Sequence, residues 1–191
     1  MSRFPVRYGN RTGRNLLYQS GFMLFLLAAI GSASSLDEAT VDEMIRRDFP
    51  EVSQIPPESL LVWQSKNRTI SPFLLDVREP EEYAVSHLQG ARRAVSDREA
   101  LDILKAAPRD TLVVLYCSVG YRSSALADTL QRQGFTNVHN LEGSIFAWAN
   151  RGLPVYRGNK QVSAVHPFDE TWGQMLNRSL WATTPDSSEA K

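Results

Sequence analysis

Cysteine is nearly absent: Cys117 is the only one among 191 residues. A single thiol excludes an internal disulfide and leaves no set of thiolates for a structural zinc site. The three histidines, His87, His139 and His166, show no metal-ligand spacing, so no metal is expected. An excess of one charge is also missing, with 21 basic against 21 acidic residues. Without a basic stripe the chain is a poor candidate for nucleic acid. Long apolar runs are missing too. Gly21 to Ile30 is ten residues, whereas a bilayer span takes about 20. No internal repeat is evident, and the length suits one domain with a sizeable core plus extensions.

The charges that are present are unevenly placed. Arg3, Arg7, Arg11 and Arg14 precede the first acid, Asp37; past residue 33 there remain 17 basic against 21 acidic residues, a net of −4. Those arginines lead into the apolar run Gly21 to Ile30 and then Gly31-Ser32-Ala33. A charged segment, a short apolar core and small residues form a secretory signal over residues 1–33, with cleavage after Ala33. The alternatives are an uncleaved anchor or an organelle transit segment. No cysteine lies near the cleavage point, so bacterial lipidation is excluded. The expected location is periplasmic or secreted, or membrane-anchored facing outward where the segment is retained. An odd cysteine outside the cytosol is either reactive or an intermolecular link.

Cys117 opens the run Cys117-Ser118-Val119-Gly120-Tyr121-Arg122. An apolar strand pattern, Leu112 to Tyr116, precedes it, and a helical pattern from Ser123 to Gln133 follows. At such a turn, backbone N–H groups converge and the helix macrodipole presents its positive end. Both favour the thiolate, which is the reactive nucleophile. The same cradle would hold a persulfide anion, Cys117–S–S⁻. The spacing is Cys-x4-Arg; a loop one residue longer wraps a phosphoryl group, so phosphatase and arsenate-reductase chemistry is disfavoured.

Elsewhere the chain alternates strand and helix signals. Thr40 to Asp48 is an amphipathic helix with Val41, Met44 and Ile45 on one face. Residues 59–65 read as either helix or strand. Phe73 to Val77 is a buried strand, Pro80 opens a helix over 81–86, and Arg92 to Val95 is a short strand. Asp97 to Ala107 is a helix with Leu101, Ile103 and Leu104 inward. Gly134 caps the helix after the loop in a left-handed conformation, with Phe135 as its hydrophobic contact. Val138 to Leu141 is the last strand, and Ser144 to Asn150 a helix with Ile145 and Trp148 inward. Asp169 caps a C-terminal helix whose Trp172, Met175 and Leu176 pack inward. This alternation predicts an α/β fold, a central parallel sheet of about five strands with helices on both faces. Ligands of such sheets bind beyond the carboxyl ends of the strands, which places both Cys117 and Asp76 at the crevice.

Several separated motifs carry a resemblance. They are Leu74-Leu75-Asp76-Val77-Arg78-Glu79-Pro80-Glu81-Glu82-Tyr83, His87-Leu88-Gln89-Gly90-Ala91, the Cys117 loop, Gly134-Phe135-x-Asn137-Val138, and Leu141-Glu142-Gly143-Ser144-Ile145-Phe146-Ala147-Trp148. In this order they resemble the rhodanese (sulfurtransferase) family over residues 56–157. Ser144 stands where that family usually has a second glycine, and Ser86 and Gln89 replace its common Gly and Pro. The layout is then a signal over 1–33, an N-terminal helical extension over 34–55, a rhodanese-like domain over 56–157, and a C-terminal extension over 158–191 with a disordered end.

The resemblance implies a sulfurtransferase with a rhodanese-like fold and Cys117 as nucleophile, cycling through a persulfide without metal or organic cofactor. Ser118, Val119, Gly120, Tyr121, Arg122 and Ser123 would bind the sulfur and its donor. Asp76 and Arg78 would hold the strand end and adjacent loops, with Glu82 pairing to Arg78. Arg122 is the loop's one cation. It is expected to clamp an anionic donor; the alternative is that it pairs with a carboxylate and braces the loop. The partners implied are a small sulfane-sulfur donor such as thiosulfate and a thiol or cyanide acceptor, or a protein acceptor. The competing reading is a sulfur carrier or a non-catalytic binding module.

Overall fold

The computed structural model describes residues 37–65 and 71–185. The signal read over 1–33 and the chain beyond Pro185 lie outside these residues. The first helix, α1 (Glu38–Asp48), starts two residues before the expected Thr40 because Asp37 caps it, its carboxylate accepting the Thr40 N–H at 2.8 Å. It buries Val41, Met44 and Ile45, the face the spacing predicts. A three-residue strand, β1 (Ser53–Ile55), follows within the stretch read as a helical extension. Three residues are too few to show a period of two, so the pattern concealed it. The ambiguous segment resolves as helix α2 (Pro57–Gln64), with proline at its first turn and Leu60 buried.

The sheet is completed by β2 (Phe73–Asp76), β3 (Arg92–Arg93), β4 (Val113–Tyr116) and β5 (Val138–Leu141). Their order is β1-β5-β4-β2-β3 and every pairing is parallel. Crossovers run through α3 (Pro80–Val85), α4 (Asp97–Leu104) and α5 (Tyr121–Arg132), with α6 (Ser144–Asn150) following β5. Every residue of β4 is buried, so both faces of the sheet are covered. One face joins Val113, Leu115 and Cys117 to Ala100, Leu104, Leu126, Ala127 and Leu130 in a single apolar core.

Other bounds differ from expectation as well, β3 ending at Arg93 short of the expected Val95. Helix α4 ends at Leu104 and turns Ala100 and Leu104 fully inward, leaving Leu101 and Ile103 half-buried at the core's margin. Ser96 caps its start, the hydroxyl accepting the Glu99 N–H. Helix α5 starts at Tyr121, two residues early, because Gly120 is its left-handed N-cap. Gly134 and Phe135 take their expected roles after it, the first left-handed and the second buried. A hairpin, β6 (Val155–Arg157) and β7 (Lys160–Val162), pairs antiparallel where no strand was expected. His87 and Tyr156 exchange backbone hydrogen bonds at 2.7 and 2.8 Å, docking that hairpin against the turn after α3. Asp169 caps α7 (Glu170–Gly173) as expected, and Trp172 and Leu176 are buried while Met175 is half-buried.

Candidate active site

Adjacent strands deliver the site. In the β2–β4 register Asp76 lies opposite Tyr116, so Cys117 leaves the sheet where Val77 does, at the carboxyl ends. Cys117 is 1% exposed, and its Sγ accepts the Gly120 N–H at 3.1 Å. Burial pushes this thiol's pKa up. The charge of Arg122, the hydroxyl and N–H of Ser123 and the N–H of Gly120 outweigh it, and the pKa ends below the ordinary thiol value. The surroundings of this buried sulfur thus favour its anion more than water favours that of an ordinary thiol.

Gly120 makes the turn possible. Its φ is +109°, and a Cβ there would lie 3.1 Å from both Asn140 Nδ2 and Ile45 Cδ1. The loop thus lies close against β5 and α1, where a side chain would have to shift both neighbours and adopt a left-handed backbone that glycine takes without strain.

The back of the loop is fastened to α6. Ser144 Oγ accepts the Cys117 N–H at 3.1 Å and donates to the Leu141 carbonyl at 3.2 Å. The N–H groups of Ile145 and Phe146 donate to the carbonyls of Cys117 and Ser118 at 3.2 and 3.1 Å. Ser144 has φ +51° and follows Gly143 at +61°, so the position where a glycine is usual does demand a left-handed residue. The serine accepts that strain and supplies a hydroxyl that glycine lacks.

The expected supporting pair forms, but beneath the crevice. Arg78 Nη2 donates to Asp76 Oδ2 at 2.7 Å and to the Ser86 carbonyl at 2.6 Å, and both charged side chains are wholly buried. Asp76 therefore does not face the crevice; its carboxylate is taken up by Arg78. Glu82 is not the hydrogen-bond partner of Arg78 either. It receives the guanidinium fork of Arg122, Nη1 to Oε2 and Nη2 to Oε1, both at 2.9 Å. Ser118 Oγ donates to Glu82 Oε1 at 2.7 Å and accepts from Arg122 Nη2 at 3.0 Å. The Glu79 N–H donates to Glu82 Oε2 at 3.0 Å, inside a capping box for α3. Burial raises the Glu82 pKa, but Arg122, Arg78 and Ser118 together hold the carboxyl below its ordinary value.

Arg122 thus adopts the bracing arrangement, with the donor-clamp geometry absent. The remaining loop side chains also turn aside. Val119 is buried, and the Tyr121 hydroxyl donates to Asp48 Oδ2 at 3.0 Å while its ring meets Phe49 edge-on at 5.2 Å. What faces the sulfur is backbone N–H, Ser123 and the charge of Arg122.

A further residue comes from the C-terminal extension. The Phe168 ring lies 4.9 Å from the Arg122 guanidinium carbon, a cation–π contact. Phe168 has φ +69°, and its N–H donates to His166 Nδ1 at 3.0 Å. Sequence reasoning missed Glu82 as the partner of Arg122, and missed Phe168 altogether. The Glu79-x-x-Glu82 spacing signalled a capping box, but nothing local signalled the aromatic cover. Among the described residues no cluster of acidic, histidine or cysteine side chains could hold a metal ion.

Comparison with known proteins bears on this site. Residues 57–151 match the model of the rhodanese-like domain. The chain is 36% identical over 104 residues to a sulfurtransferase of Allochromatium vinosum, covering 54% of this chain and 94% of that protein. It is 30% identical over 98 residues to thiosulfate sulfurtransferase GlpE of Pseudomonas fluorescens, covering 51% of this chain and 85% of that protein. With the probable adenylyltransferase/sulfurtransferase MoeZ of Mycobacterium tuberculosis it shares 34% identity over 106 residues. That match covers 53% of this chain but only 26% of the longer protein.

Proposed function

The chain belongs to the rhodanese-like family, and from that premise we propose that it is an exported sulfurtransferase working through a Cys117 persulfide. The observation that carries the proposal is the seating of the sulfur. Sγ is buried, accepts a backbone N–H, and lies where Arg122 and Ser123 favour its anion. Relatives named as sulfurtransferases support the same reading. The signal-like segment supports export, to the periplasm or outside the cell, or anchoring where it is retained.

The cycle has two displacements. Cys117 thiolate attacks the outer sulfur of a sulfane donor; the bond from that sulfur to the rest of the donor breaks, and its electron pair leaves with the remainder. For thiosulfate the leaving group is sulfite. The resulting Cys117–S–S⁻ rests against the N–H groups of the loop. An external nucleophile, cyanide or a thiolate on a small molecule or protein, then attacks the outer sulfur. The sulfur–sulfur bond breaks and its pair returns to Cys117, giving thiocyanate or a new persulfide. No second thiol in the chain can do this, so the acceptor is external.

Intact mass of the reduced full chain tests the proposal. Incubation with a sulfane donor should add one sulfur that cyanide removes, and Cys117→Ser should add none while melting at the same temperature. Failure of every donor to load the wild-type chain would reject sulfur transfer and leave a recognition module.

A further inference from the structure

Resting on that sulfur-transfer reading, we infer that the Cys117 site is built for a sulfane donor bearing at most one negative charge, such as an organic persulfide or a thiosulfonate. It is poorly matched to a dianion such as thiosulfate. The loop from Cys117 to Arg122 contains one cation, Arg122. Both Nη atoms of that guanidinium are bound to Glu82, a carboxylate only 2% exposed. Ser118, the loop hydroxyl that could donate to an anion, donates to Glu82 instead. Phe168 covers the guanidinium face.

The neighbouring charges add nothing. Arg78 is paired with Asp76; its Nη1 has no partner but is sealed from solvent. His166 Nδ1 accepts the Phe168 N–H, so that nitrogen carries no proton. Around the Cys117 thiolate, Arg122 and Glu82 sum to zero, and an incoming dianion meets a net negative site in surroundings of low dielectric. A singly charged donor meets half that repulsion.

Its chemistry needs no more positive charge than the site has. With an organic persulfide R–S–SH, Cys117–S⁻ bonds to the outer sulfur, the S–S bond breaks, and R–S⁻ departs. With a thiosulfonate R–SO₂–S⁻ the same attack releases the sulfinate R–SO₂⁻.

The test compares thiosulfate with benzenethiosulfonate on the full chain, cyanide being the acceptor and thiocyanate the readout. Each kcat/KM is divided by the uncatalysed rate of the same donor with a free thiol. The wild type should favour benzenethiosulfonate at least about tenfold. Glu82→Gln keeps the shape and frees the charge of Arg122; it should raise the thiosulfate value about tenfold and the singly charged donor's by only about threefold, half the effect in free energy. Phe168→Leu should shift the ratio the same way by less, and serves if Glu82→Gln does not fold. A wild-type preference for thiosulfate, or a ratio unmoved by both variants, overturns the inference and leaves sulfur transfer standing. Absence of any Cys117 persulfide from either donor overturns both.

Discussion

Cys117 is nearly closed to solvent and still sits where its anion is favoured, because an arginine, a serine and a glycine N–H outweigh the cost of burial. The pH dependence of its alkylation by iodoacetamide should therefore have a midpoint below that of an ordinary thiol. Arg122 supplies the charge in that balance, so Arg122→Gln should move the midpoint upward; an unmoved midpoint would show that backbone donors alone set it. At this scale the nucleophile was legible from sequence, since a lone cysteine between a strand pattern and a helix pattern falls where backbone donors converge. The partner of Arg122 was not. Glu82 lies 40 residues upstream, and a carboxylate four positions from Arg78 offers an equally good pairing until three-dimensional proximity decides between them.

The junction of β5 and α6 governs the catalytic loop from behind. Two consecutive left-handed residues, Gly143 and Ser144, aim the start of α6 at the carbonyls of Cys117 and Ser118. Replacing Ser144 separates its two roles. Ser144→Ala keeps the strained backbone and strips the buried Cys117 N–H of its acceptor, costing about 1–3 kcal/mol in urea unfolding. Ser144→Gly loses the same hydroxyl but relieves the strain, and should cost less. Equal losses would mean the backbone strain is negligible. Elements with a periodic or apolar pattern of their own were legible, and the two-residue β3 fell inside the short strand expected over Arg92 to Val95. The helices α1, α5 and α6 and the strands β4 and β5 lie within two residues of their expected bounds. The three-residue strands β1, β6 and β7 were invisible, because three residues show no period of their own; β1 is defined by its distant partner β5, and β6 and β7 by each other across a tight turn.

The described molecule is larger than the family match. The segment after β7 turns Val165, Trp172 and Leu176 into the interior, and hydrogen bonds through Asn150 to Met175 and Asn177 tie it to α6. A chain ending at residue 163 should therefore lose several kcal/mol, about 1.5–3 for each fully buried side chain removed, read as a fall in urea midpoint. An unchanged midpoint would make the extension an ornament. The fold class was legible at this scale because alternating strand and helix signals leave few arrangements for a parallel sheet. The packing of the extension was legible only as an apolar face at Trp172, with no hint that Phe168 reaches the site.

The solitary thiol has a further consequence. A sulfur added to Cys117 stands about 2 Å from Sγ, and no second cysteine exists to take it inward. Empty and laden forms would then differ by the position of one atom at the mouth of the loop. Discharge would have no internal clock: its rate would rise in proportion to the concentration of whatever molecule can reach that atom. Such a protein works as a courier, and the pace of delivery is set by how often the recipient calls.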